Sequence, residues 1–195
     1  MIAFLRGVFA YKSPALVHLE AGGVGYELQI SLNTYSRIEH LENGVLLTYL
    51  HIREDAHILY GFFDKTEKDL FIQLISVSGV GASTARMMFS SMKPEEIARA
   101  IRDGNTRQLE SIKGIGKKSA ERIILELRDK LGKTKEDSIN ISSNASNTLE
   151  QDALNALITL GIARPAAENA IKKVMNDGHG AEKIEDIIKK ALKIL

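Results

Sequence analysis

The chain has 195 residues, 26 basic and 25 acidic, is 44% apolar and contains no cysteine, which excludes disulfides, thiolate zinc sites, iron–sulfur ligation and a cysteine nucleophile. No apolar run approaches the roughly 18 residues of a membrane span, and Met1–Arg6 lacks the layout of a signal peptide, so a cytoplasmic protein stabilised by packing alone is expected. The net charge of +1 leaves nucleic acid open as a partner, because phosphate binding depends on where charge sits.

Residues 1–63 read as strands. Ile2–Tyr11 is apolar and aromatic, Ala15–Glu20 follows Ser13-Pro14, and Val24–Ile30 follows the hairpin signal Ala21-Gly22-Gly23. Leu32–Ile38 fits a short helix; Asn43-Gly44 then reads as a turn into Val45–His51, with Ile58–Phe62 last. Five short strands with a small helix between the third and fourth suggest a small barrel, with a sandwich as the alternative.

From Asp64 the apolar period changes from two to about 3.6. Leu70, Phe71, Leu74 and Ile75 make one helical stripe, and Pro94 opens another with Ile97, Ala98 and Ile101 behind it. Residues 64–132 are therefore expected to be helical. Residues 133–148 are polar, rich in Ser and Asn and aperiodic, which reads as a flexible tether. Leu149–Leu160, Pro165–Met175 and Ala181–Leu195, separated by Gly161 and Asp177-Gly178, then predict a three-helix bundle over 149–195. Residues 1–63 hold 4 basic and 6 acidic side chains against 13 and 10 in residues 64–132, so the positive excess sits in the middle of the chain.

That middle region is duplicated at a period of 35 residues. Leu74, Val77, Gly79, Val80, Gly81 and Ala85 align with Leu109, Ile112, Gly114, Ile115, Gly116 and Ala120. In each copy the first glycine suits a helix C-cap and a new helix starts after the second, giving helix, tight hairpin, helix. Val80 and Ile115 would tuck between the helices. The glycine after each would let a foreign backbone approach the unpaired first-turn amides, which together with the helix dipole favour an anion. A main chain that cradles phosphate without touching bases holds nucleic acid regardless of sequence. Lys117, Lys118 and Arg122 add charge at the second hairpin.

Several other readings compete. A dinucleotide-binding turn lacks its third glycine and its preceding strand, and Gly116-Lys117-Lys118-Ser119 fails the P-loop spacing because residue 111 is Ser, so no ATPase is expected. A purely structural helical hairpin is the serious alternative, weakened by the duplication and the lysines. His18, His40, His51, His57 and His179 show no metal-ligand spacing. The scattered acids argue against a metal-dependent nuclease, and a protein-binding scaffold would have to use the hairpins on protein.

Gly-Val-Gly and Gly-Ile-Gly-Lys-Lys hairpins follow a barrel containing Gly22-Gly23-Val24-Gly25-Tyr26-Glu27 and Arg53-Glu54-Asp55-Ala56 with Leu59-Tyr60-Gly61-Phe62. This pattern resembles the RuvA family of bacterial Holliday-junction-binding subunits over the whole chain, most specifically in residues 1–131. The resemblance implies a multidomain α+β fold: an N-terminal OB-fold β-barrel, a tandem helix-hairpin-helix domain, and a mobile C-terminal three-helix, UBA-like bundle. It further implies a homotetramer, sometimes doubled to an octamer, that holds four-way junction DNA open and square-planar in recombination and repair. The family loads the hexameric ATPase RuvB for branch migration, and the resolvase RuvC acts on the same junction. No cofactor, metal or catalytic residue is implied.

Carried onto this chain, the resemblance assigns phosphate contacts to Gly79, Val80, Gly81, Ser83 and Thr84 in the first hairpin and to Gly114, Ile115, Gly116, Lys117, Lys118 and Arg122 in the second. The first hairpin has Ala82, Ser83 and Thr84 where many relatives supply a lysine, so its grip is expected to rely on amides and hydroxyls, with Arg86 as a supplement. Glu54 and Asp55, otherwise an ordinary solvated turn, match the family's acidic pin at the tetramer centre. Leu157, Leu160, Gly161 and Ile162, with Leu192, resemble the patch that docks the ATPase; bundle core is the competing reading for these leucines.

Overall fold

The structure, a computed structural model, describes residues 1–139, 145–176 and 183–195. Five strands close a barrel: β1 (Phe4–Ser13), β2 (Leu16–Ala21), β3 (Val24–Gln29), β4 (Asn43–Ile52) and β5 (His57–Phe62), in the order β1-β2-β3-β5-β4. Only the β3–β5 pair is parallel. This order and the helix α1 (Leu32–Ile38) between β3 and β4 make the OB-type barrel, closed rather than a sandwich. Alternation explains the inside: Leu5, Phe9, Val17, Leu19, Leu28, Leu46 and Leu59 point inward, with Ile30 and Ile38 closing the core.

One turn reading is corrected. Asn43 and Gly44 are the first residues of β4, paired with Val8 and Gly7 of β1. A side chain at Gly44 would come within 3.2 Å of the Phe9 ring, so this glycine serves close packing rather than a bend.

Helices α2 (Lys65–Ile75), α3 (Ala82–Ser91), α4 (Pro94–Arg102), α5 (Thr106–Glu110) and α6 (Lys117–Ile139) follow. Asp64 caps α2 by accepting the Glu67 amide at 2.8 Å, and Pro94 opens α4 at its first turn. Barrel and helices share apolar contacts: Phe71 of α2 packs on Tyr60 and Phe62 of β5, with ring centroids 5.1 and 4.9 Å apart, and on Tyr49 of β4 at 5.6 Å. A polar latch joins them as well. Glu67 is 0% exposed, and its carboxylate accepts hydrogen bonds from the Ser31 hydroxyl, from Asn33 Nδ2 at 2.9 Å and from Thr34 Oγ1 at 2.9 Å.

The chain divides into two compact units, 1–136 and 137–195. Helix α6 runs on to Ile139, into the stretch expected to be a tether, and α7 (Ala145–Thr159) starts within that stretch too. Lysine and glutamate there are good helix formers, and no proline stops the chain. Residues 140–144 of the expected tether lie outside the described residues. The second unit packs α7, α8 (Arg164–Asn176) and α9 (Ile184–Ile194) around Ala153, Leu154, Leu157, Ala167, Ala170, Ile171, Val174, Ile187 and Ala191. Gly161, at φ +91°, turns the chain from α7 to α8; Asp177-Gly178, His179 and Ala181 lie outside the described residues. Among the described residues no helix is long and apolar enough to cross a membrane.

Candidate nucleic-acid interface

The two hairpins repeat one another hydrogen bond by hydrogen bond. The Val77 amide donates to Leu74 O at 3.1 Å and the Ile112 amide to Leu109 O at 3.2 Å; Val80 donates to Val77 O at 3.0 Å and Ile115 to Ile112 O at 3.1 Å. The next helices begin alike, with Ala85 donating to Gly81 O at 2.9 Å and Ala120 to Gly116 O at 3.0 Å. A further matched pair, missed in the sequence comparison, is Ser76 and Ser111, whose hydroxyls close the preceding helix ends on Gln73 O and Gln108 O, each at 2.7 Å.

Burial fixes these hairpins from inside. Val80 and Ile115 are each 5% exposed and join one core with Leu74, Val77, Leu109, Ile112, Ala85 and Ala120. Gly79 and Gly114, at φ +89° and +94°, take the left-handed turn that leads out of each helix. Gly81 and Gly116 are exposed, with nothing within 4 Å of where a Cβ would stand. No side chain caps α3 at Gly81, and the first helical bond starts from Ala85, so the amides of residues 82–84 stand outside the ladder. The same holds for 117–119 ahead of Ala120. Each hairpin thus offers N–H donors outside the helix ladder, beside an exposed glycine at the positive end of a helix, to an approaching anion.

The side chains around the two hairpins differ. Lys117 and Lys118 are exposed and make no ion pair among the described residues. Arg122, one turn further on, pairs through Nε with Glu126 Oε1 at 2.8 Å, so part of its charge is already engaged. Lys113, which the sequence reading passed over, lies exposed inside the second hairpin between Ile112 and Gly114. Ser83 is exposed and Thr84 half-buried. Arg86 does not supplement the first hairpin: its guanidinium donates to Ala15 O at 3.1 Å and to Gln29 Oε1, tying α3 to the barrel. Those partners lie 71 and 57 residues away, beyond the reach of any local pattern.

Glu54 and Asp55 occupy the exposed turn between β4 and β5, closed by the Arg53 amide donating to Ala56 O at 2.9 Å. Arg53 Nε stands 3.3 Å from Asp55 Oδ1, which leaves Glu54 as the acid without an ion-pair partner among the described residues. In the second unit, Leu160 is 62% and Leu192 45% exposed, while Ile162 packs partly against the core. Leu157 corrects the sequence expectation: it is 0% exposed, on the inward stripe of α7 with Ala153 and Leu154, and presents no surface to a partner.

Comparison with known proteins bears on all three segments. Residues 1–61 match the family described as RuvA N terminal domain, residues 71–129 the SAM-like helix-hairpin-helix tandem, and residues 148–195 the RuvA C-terminal domain. Curated relatives named "Holliday junction branch migration complex subunit RuvA" align end to end. Those of Flavobacterium psychrophilum, Christiangramia forsetii and Cytophaga hutchinsonii are 45%, 44% and 41% identical, over 100% of this chain and 100% of theirs.

Proposed function

The chain belongs to the RuvA family, and from that premise we propose that it is the non-catalytic DNA-binding subunit of a branch migration complex, recognising four-way junctions by shape. The observation that carries the reading is the duplicated hairpin with both Gly81 and Gly116 open to solvent. Amides at a helix start hold a phosphate without reading a base, so binding is independent of sequence. Residues Gly79, Val80, Gly81, Ser83 and Thr84 form one contact and Gly114, Ile115, Gly116, Lys117, Lys118 and Arg122 the other.

A four-fold homotetramer would place eight such hairpins on one junction and bring Glu54 and Asp55 of every chain to its centre. Carboxylates beside phosphates raise the energy of a closed duplex there, so they part the strands and confine binding to an opened, square-planar crossover. The domain plan is a barrel over 1–63, a tandem helix-hairpin-helix domain over 64–132, a tether over 133–148 that α6 and α7 enter from its two ends, and a docking bundle over 149–195. The exposed Leu160 and Leu192, with Ile162, give that bundle an apolar patch for the hexameric ATPase RuvB, which supplies the ATP hydrolysis, while RuvC resolves the same junction. The chain itself needs no cofactor and acts in the cytoplasm, as four chains or as a doubled octamer on DNA.

The test is an electrophoretic shift with an immobile four-way junction, a linear duplex of the same arm sequence, and a junction with shuffled arms, paired with solution mass with and without DNA. Tight binding to both junctions, weak binding to duplex and a mass of four chains are expected. Equal affinity for duplex and junction overturns the reading.

A further inference from the structure

We infer that the two hairpins divide the work of holding DNA: the second carries the whole ion-pair contribution, with Lys113 as a phosphate contact beside Lys117 and Lys118, and the first binds through uncharged donors alone. This rests on the junction-binding reading above and specifies how that one site works.

The 35-residue repeat makes the comparison position by position. Ser78, Ala82 and Ser83 of the first hairpin stand where the second has Lys113, Lys117 and Lys118. The main chain is the same in both copies, within about 0.1 Å along the matched hydrogen bonds. Charge is therefore what differs. Ile112 and Ile115 are both buried, which pins the hairpin from beneath, and Lys113 between them is exposed, as Gly114 and Gly116 are. Lys113, Lys117 and Lys118 take part in no ion pair among the described residues, so none of them must give up a protein partner to meet a phosphate. Each strand of duplex DNA carries a phosphate about every 3.4 Å along the axis, so two or so adjacent phosphates fall within the span of a five-residue turn.

Among the described residues, the cations nearest in sequence to the first hairpin are placed elsewhere. Arg86 is committed to Ala15 and Gln29, and Arg122 is matched there by Met87. Lys65 and Lys68 stand toward the other end of α2, the first paired with Asp69 and the second reaching Ala3 O at 3.4 Å. Lys93 lies past the far end of α3, roughly 15 Å along the helix from Gly81. The first hairpin is left with amides and the hydroxyls of Ser78, Ser83 and Thr84. Ion pairs release counterions and amide hydrogen bonds do not, so salt dependence counts the cations of the second hairpin only.

The experiment is a salt titration of affinity for an immobile four-way junction by fluorescence anisotropy, on the full chain. Lys113→Ala should flatten the slope of log affinity against log salt by about 0.9 for each chain engaged, as much as Lys118→Ala does. Between 50 and 200 mM salt that is roughly a 3.5-fold smaller loss of affinity per chain. Lys113→Arg should restore the slope, Ser83→Ala should leave it unchanged, and Ser83→Lys should steepen it by the same 0.9 or so. A wild-type slope in Lys113→Ala, or a flattened slope in Ser83→Ala, overturns the division of work while junction binding stands. A wild-type chain that ignores the junction overturns both.

Discussion

Replacing Glu67 by alanine should loosen the helical hairpins from the barrel. The side chain is wholly buried, and it ends a chain of bonds that begins at the backbone: Thr34 N donates to Ser31 Oγ at 3.0 Å and Phe63 N to Thr34 Oγ1 at 3.1 Å, while both hydroxyls donate onward to the carboxylate. Glu67→Ala leaves those hydroxyls and Asn33 Nδ2 without their acceptor. Asn33 is half-buried and recovers water, but Ser31 and Thr34 are buried. At about 1–3 kcal/mol for each buried donor left unpaired, and with the void added, the loss is about 3–5 kcal/mol. For a unit of this size that lowers Tm by on the order of 10–15 °C.

The assay can separate the two sides of the latch. The chain has no tryptophan, and its five tyrosines all lie in the barrel segment, so near-ultraviolet dichroism reports the barrel while 222 nm ellipticity reports helices. Both signals should melt earlier in Glu67→Ala. A second readout comes from pH. Burial raises the Glu67 carboxyl above the ordinary glutamate range, with the three hydrogen bonds opposing and the Asp64 charge adding to it. The folded chain then holds this proton to higher pH than the unfolded chain. The group's contribution is fully present below the unfolded value and is lost as pH rises through the folded one, after which it is flat. Glu67→Gln abolishes that slope and costs less than alanine, since the amide keeps one acceptor. A Glu67→Ala chain within 1 kcal/mol of wild type, or a wild-type-to-Gln difference that ignores pH, would refute the reasoning.

Three further outcomes follow from the site. Gly114→Ala and Gly79→Ala meet no neighbouring atom, so their cost is the left-handed φ alone, about 1–2 kcal/mol each, read by chemical denaturation. Junction affinity should fall with them as the hairpin amides shift. Glu54→Ala with Asp55→Ala should narrow the affinity ratio of junction over duplex, and Glu54→Ala alone should give most of the change, because Arg53 already screens Asp55; an unchanged ratio counts against the pin. Leu160→Asp with Leu192→Asp should keep fold and junction binding, at a stability change within about 0.5 kcal/mol, yet stop ATPase-driven branch migration. Leu157→Asp should instead unfold the bundle, which helical ellipticity of the C-terminal unit would register.

What the sequence revealed were features written in local period: the alternating strands, α1, the stripe of α2, the Pro94 start and the duplicated glycines. What it concealed were partners far away in the chain. Glu67 sits 33 to 36 residues from the groups it joins, and inside α2 nothing separates it from a surface acid. Arg86 has the look of a surface cation and serves as a strut. Gly44 gives a turn signal, and only the Phe9 ring across the strand explains it otherwise. Leu157 and Leu160 are three residues apart and equally greasy, yet one is core and the other surface, because α7 ends at Thr159 and Leu160 has left the inward stripe.

The hairpins show how shape and charge separate in one chain. Their inward residues are constrained: each copy needs an apolar plug, a left-handed glycine before it and an open glycine after it, and each has them. Their outward residues are not, and there the copies diverge from three lysines to none. Among single substitutions only proline removes a main-chain donor, whereas lysines can be gained or lost one at a time. On the proposed reading, recognition of branched DNA by geometry rests on the half of the repeat that the two copies share, and strength and salt response on the half in which they differ.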